Sequence, residues 1–258
     1  GYGNDRTVWG GEFLLGDAGG FRRVAHLRRF RLPGGDAAVE EPRRVAAAVL
    51  WEMWGESAFE HEELVPISSM KPDERRLLSS MLDKGLQSPI TSSAGRLFDA
   101  VAALLDLQQR VSFEGQAAMA LEFIADPEER GAYSLELVPA GPSGEALELD
   151  WQPLIESVID DSLRRVDPGI IAARFHNALV EAIVAVAENI GEPRVALTGG
   201  CFQNRMLTER AARRLRQSGL DVVLHHQVPA NDGGISLGQV AVAAAQHGFS
   251  AGPTGKGQ

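Results

Sequence analysis

A single cysteine, Cys201, stands among 258 residues. That scarcity excludes an intrachain disulfide and any cysteine-rich zinc finger, and it points to a reducing compartment, the cytoplasm. Basic side chains are the minority: 25 Lys and Arg face 35 Asp and Glu, for a net charge of −10. A field of that sign repels polyanions, so nucleic acid is not an expected partner. No apolar run approaches the roughly 20 residues that cross a bilayer, and no charged-then-apolar leader opens the chain, so no membrane is expected either. The six histidines, His26, His61, His176, His225, His226 and His247, never fall at His-x-x-x-His or His-Glu-x-x-His spacing. No local motif therefore completes a multi-histidine metal site.

What is present is ordinary for a globular protein, with 44% hydrophobic and 23% charged residues, in a length that fits one or two lobes. The chain begins Gly1-Tyr2-Gly3, without Met and inside a glycine turn, which reads as a piece of a longer protein. Short apolar and polar stretches broken by Gly pairs predict strands and hairpins over 7–32. The period then lengthens, and Val45/Ala48/Val49 and Leu97/Val101/Leu104/Leu105 are spaced as amphipathic helices. A third helix, 116–125, must stop before Asp126-Pro127, because the residue preceding Pro is driven from the α region. Tyr133–Leu137 and Leu147–Trp151 flank a Pro/Gly-rich turn and predict a hairpin. Helices follow over about 153–166 and 172–190, the second with a Phe175/Leu179/Ile183/Val186/Ile190 stripe. The last segment, strand 194–198, helix 205–217, strand 221–224 and helix 236–246, alternates as a parallel βαβα unit does.

Chemistry concentrates in that unit. A short apolar strand enters Thr198-Gly199-Gly200-Cys201-Phe202-Gln203-Asn204 and leaves into a helix, which would place backbone N–H groups where a phosphate or ribose can sit. Asn204 at the helix mouth is either an N-cap or an amide facing a ligand. Asp232, in Asn231-Asp232-Gly233-Gly234, is expected at the carboxyl edge of the sheet, where open α/β folds bind ligands, though the same residues make good turns. Asp99 lies about 200° round the helix from Leu97, off the core stripe. It can form a surface ion pair with Arg96 at i,i+3 or accept from ribose hydroxyls. Gly115, in Phe113-Glu114-Gly115-Gln116, serves a turn or the close approach of a ligand. His176 beside the Phe175 stripe and Cys201 in the glycine turn are expected to be structural.

In order along the chain these pieces resemble one family. They are Gly1-Tyr2-Gly3 with Trp9-Gly10-Gly11-Glu12-Phe13-Leu14, Pro33-Gly34-Gly35-Asp36-Ala37, the stretches 91–101 and 113–122, Arg174-Phe175-His176-Asn177, the Gly199–Asn204 turn and 231–239. The chain is similar to the carboxyl-terminal Kae1-like domain of the HypF carbamoyltransferases of nickel–iron hydrogenase maturation. The resemblance implies an α/β fold of the actin-like, Hsp70-like ATPase type, with RNase-H-like lobes clasping a nucleotide. This chain would be its distal part: a sheet and hairpin region over 1–35, a helical insert with a hairpin over 36–151, and a nucleotide-binding lobe over 152–258.

By the same resemblance, Asp99 and Gly115 would contact the ribose side of ATP, and Gly199, Gly200 and Asn204 its phosphate and ribose side. Gly1 and Gly3 would end a second phosphate loop, and Asp232 would hold a divalent metal ion, Zn, Fe or Mg; no catalytic residue is assigned. Family members use carbamoyl phosphate and ATP, form a carbamoyl-adenylate, and pass the carbamoyl group to the terminal Cys of a HypE-like acceptor, where it becomes cyanide. The acylphosphatase-like, zinc-finger and adenylate-forming modules have no counterpart here, nor has the upstream half of the Kae1-like domain, so the isolated piece is expected to be inactive. An O-carbamoyltransferase of secondary metabolism and a catalytically silent nucleotide-binding lobe are the alternatives.

Overall fold

The computed structural model describes residues 1–17, 19–141 and 146–246. The predicted turn between the central strands lies partly outside them, as do His247 and the tail. A glycine hairpin, bridged at Tyr2 and Val8, leads into β1 (Glu12–Asp17) and β2 (Gly20–Leu27), paired antiparallel with an irregularity between Phe13 and Leu14. The short β3 (Phe30–Arg31) pairs far ahead in the chain with β4 (Ile90–Thr91). Between them run α1 (Asp36–Glu40), α2 (Pro42–Trp54), a 3-10 turn (Gly55–Glu60), α3 (Val65–Ser68) and α4 (Pro72–Lys84). Then come α5 (Ala94–Leu104) and α6 (Gln116–Ile124). The predicted hairpin forms as β5 (Glu136–Ala140) and β6 (Ala146–Asp150). It does not stand alone: β6 adds parallel to β2, giving one sheet in the order β1-β2-β6-β5.

Next come α7 (Gln152–Leu163) and α8 (Pro168–Ile190). The second begins four residues before the apolar period suggests. Pro168 occupies its first turn, and the Asp167 carboxylate accepts from the Gly169 N–H at 2.7 Å, a proline-plus-cap start that needs no apolar residue. The terminal unit is β7 (Arg194–Ala196), α9 (Arg205–Gln217), β8 (Asp221–Val223) and α10 (Ile235–Gln246). The parallel pairing of β7 with β8 bears out the pattern. Past α9 the chain turns at Gly219, φ +81°, where the Leu220 N–H reaches back to the Leu215 carbonyl at 3.1 Å, a glycine helix stop.

The core joins α2, α5, α7 and α8, with Val45 to Leu50 of α2 wholly buried. Phe98 of α5 meets Phe175 of α8 edge to face, with ring centroids 4.8 Å apart, a geometry worth about 1 kcal/mol beyond its area. Two expectations are corrected. Helix α8, 23 residues long, is long and apolar enough to cross a membrane, but 72% of its most apolar stretch is buried inside the protein. It is apolar because it is packed on almost every face, with Ile171, Ala173, Ala178 and Val184 buried besides the stripe. Asp99 is not on a surface. It is 2% exposed, because α5 lies centrally and its face opposite Leu97 is covered in turn.

The terminal unit is the reverse case. In β7 and β8 only the middle residues, Val195 and Val222, are partly covered. No residue of α10 is buried: Leu237 is 55% and Val240 65% exposed.

Candidate functional site

Three segments meet around the start of α5. The Ser93 hydroxyl caps the helix, accepting from the Arg96 N–H at 3.3 Å, and the N-terminal hairpin lies alongside. The Val8 carbonyl accepts from Ser92, and the Gly10 carbonyl from the Ala94 N–H at 3.2 Å. Gly3 is required there, since a Cβ would run into the Trp9 ring. Gly1 and Gly3 brace Trp9 and Thr7 through backbone bonds. Asp5 fastens the loop, accepting from Thr7, Trp9, Arg23 and Arg29. Those donors hold its carboxyl well below the usual range against the opposing effect of burial.

Arg96 and Asp99 form the centre. The guanidinium Nη1 is 3.0 Å from Asp99 Oδ2, with both side chains nearly inaccessible. The approach is misaligned, and both atoms are buried without a hydrogen-bond partner among the described residues. Burial drives the Asp99 carboxyl up to about 7; Arg96 opposes the rise and Glu114 adds to it. An arginine in the first turn of a helix also stands against the helix dipole. Such a pair is weak support for a fold, and its unpartnered donor and acceptor are suited to a ligand bearing hydroxyls or an anionic oxygen.

The second segment is Gly115, the N-cap of α6, at φ +85° with open space where a side chain would be. The preceding Glu114 places Oε1 3.7 Å from Arg96 Nη2. The third is the Gly199–Asn204 turn. Gly199 takes φ +103°, strained for any other residue, and both its Cβ direction and that of Gly200 are open. Cys201 faces the α5 start: burial pushes its thiol up to about 11, while Arg96 and the Gly95 N–H pull it down and Asp99 pushes further. It is a thiol at neutral pH and a poor nucleophile.

The helix mouth differs from expectation. Asn204 Oδ1 accepts from the Leu207 N–H at 2.8 Å, and Glu122 of α6 accepts from the Arg205 and Met206 N–H groups at 2.7 and 3.1 Å. The first-turn N–H groups of α9 are thus already bound. Among the described residues, those of Gly200 and Cys201 have no acceptor, which moves any anion contact into the glycine turn. Asn204 does serve as N-cap, and its Nδ2 lies 2.9 Å from His176 Nε2. Sequence spacing gives no sign of Glu122, which reaches α9 from 83 residues away.

Asp232 is exposed in a 3-10 turn (Asp232–Gly234). Its loop is tied to the glycine turn, the Gly199 N–H donating to the Ala230 carbonyl at 2.7 Å. Among the described residues no three His, Cys, Asp or Glu side chains form a metal-binding group. A cavity of about 550 Å³ lies elsewhere, between Thr208, Ala212 and Arg216 of α9 and Leu224.

Comparison with known proteins finds similarity over most of the chain. Residues 1–239 match the family model described as the carbamoyltransferase Kae1-like domain, second subdomain. Carbamoyltransferase HypF of Synechocystis sp. is 38% identical over 253 residues, 93% of this chain but 32% of that protein. A HypF homolog of Cupriavidus necator is 37% identical over 254 residues, with 95% of this chain and 63% of the relative covered. The crystal structure of full-length HypF in a phosphate- and nucleotide-bound form superposes with a TM-score of 0.87 at 33% identity, covering 95% of this chain and 32% of that one.

Proposed function

The chain belongs to the HypF carbamoyltransferase family, as the second subdomain of its Kae1-like domain, and from that premise we propose that it supplies the distal half of an ATP-dependent carbamoyl-transfer site. The observation that carries the reading is the convergence of Arg96/Asp99, Gly115 and the Gly199–Asn204 turn, with an unpartnered buried donor and acceptor between them. Asp99 and Gly115 take the ribose side, and Gly199, Gly200 and Asn204 the phosphate and ribose side, with Gly1 and Gly3 ending a second phosphate loop. Asp232 gives one carboxylate to a divalent ion whose other ligands come from outside this chain; such an ion, when bound, neutralises phosphate oxygens.

In this reading the fold is the actin-like, RNase-H-like kind. The helical insert of 36–151 supports a lobe over 152–258, and the bare surfaces of α10 and β8 meet the preceding subdomain. Carbamoyl phosphate is the donor substrate, a carbamoyl-adenylate the intermediate, and the terminal Cys of a HypE-like protein the acceptor. This chain's own residues orient the nucleotide and exclude water. Calorimetric titration of ATP on a chain carrying both subdomains tests it. Asp99→Asn should lose about 1–3 kcal/mol of binding, the scale of a charge-assisted hydrogen bond; affinity equal to wild type would remove Asp99 from the site.

A further inference from the structure

His176 of α8 is a polar group near the site with no exposed surface. Its Nδ1 lies 2.7 Å from the Ala172 carbonyl one turn back on its own helix. That oxygen can only accept, so Nδ1 carries the proton and Nε2 presents a lone pair. Burial lowers the imidazole to about 4, against the helping carbonyl, and it is neutral as this tautomer requires. Nε2 then receives the Asn204 Nδ2–H at 2.9 Å. An asparagine amide is nearly symmetric in shape, and only its partners decide which end points where. With Nδ2 turned to the imidazole, Oδ1 must face the Leu207 N–H. Reversed, the amide would point a donor at that N–H. The ring is itself seated edge-on against Phe98, centroids 5.2 Å apart, and Phe98 is the neighbour of Asp99.

We propose that His176 is a positioning residue for nucleotide binding: through the Ala172–His176–Asn204–Leu207 chain it fixes the amide of Asn204, and so the shape of the Gly199–Asn204 turn, relative to Asp99. The proposal rests on the reading of that turn as part of a nucleotide site. A buried histidine filling the core would need none of this relay. His176→Gln retains a strong acceptor for Asn204, whereas His176→Met fills similar space with only a weak thioether acceptor.

The first measurement uses this chain alone and no nucleotide. Hydrogen exchange at Leu207 and across 199–204 should speed about tenfold in His176→Met, as expected for one lost buried hydrogen bond, and return toward wild type in His176→Gln. The second uses a chain carrying both subdomains: His176→Met should weaken ATP binding about tenfold in calorimetric titration, with His176→Gln again restoring it. Unchanged exchange at Leu207 in His176→Met overturns the proposal, as does equal loss in both variants. If wild type carrying both subdomains binds no ATP, the nucleotide reading fails, while the exchange result still decides whether His176 sets the turn. Should His176→Met not fold, Asn204→Asp replaces it. Its carboxylate keeps the cap on Leu207 but cannot donate to Nε2, so the turn should exchange faster while Leu207 stays protected. Wild-type exchange throughout would refute the relay.

Discussion

Asp99→Asn should make this protein more stable while weakening its binding site. The wild-type carboxyl sits 2% exposed beside an arginine whose alignment is poor, and burial lifts it from 3.8 to about 7. A carboxyl raised on folding contributes stability that is complete below its unfolded value and lost as pH climbs through the folded one. At pH 8 the folded chain must therefore hold a carboxylate it would rather protonate. The distance from 3.8 to about 7 corresponds to about 4 kcal/mol, with the attraction of Arg96 already included. Asparagine resembles the protonated acid, so the substitution should recover up to that amount at pH 8 and nearly nothing at pH 4. Urea denaturation at the two pH values measures the difference. A less stable variant at pH 8, or a gain of equal size at pH 4, would show that the Arg96–Asp99 pair supports the fold instead of burdening it. Combined with the expected loss of ATP affinity, the result would identify Asp99 as a residue whose stability cost is kept for function.

Three further outcomes follow from the same geometry. Cys201, half-buried with its thiol raised to about 11, should react with iodoacetamide at pH 8 about 100-fold slower than an unperturbed cysteine, measurable by mass spectrometry; labelling at the free-thiol rate would refute the raised thiol. Asn204→Ala removes the α9 cap and leaves His176 Nε2 and the Leu207 N–H without partners, and should cost about 1–3 kcal/mol in thermal or urea unfolding. The bare apolar face of α10, with Leu237 and Val240 more than half exposed, should drive concentration-dependent association. Sedimentation should show that association reduced in Leu237→Ser/Val240→Ser, and a monomer at all concentrations in the unsubstituted chain would contradict it.

Much of the local architecture is legible in the pattern of residues along the chain. Helix 205–217 and the parallel order of the terminal unit follow from apolar period and from glycine and proline punctuation, and α9 forms over Arg205–Gln217. Such signals are short-range, carried within one element or its two ends. The ordered motifs likewise placed the chain in its family. Which polar groups are spent emerges only once the elements have packed together. A helical wheel puts Asp99 opposite the core stripe but cannot say that the glycine turn covers that side, because coverage depends on chain more than 100 residues away. The mouth of α9 reads as open N–H groups until Glu122 arrives from another helix. His176 reads as a core residue until Asn204, 28 residues on, supplies its second partner. Burial and pairing are properties of neighbours in space. Desolvation, which raises Asp99 and Cys201 and lowers His176, exists only once those neighbours have assembled.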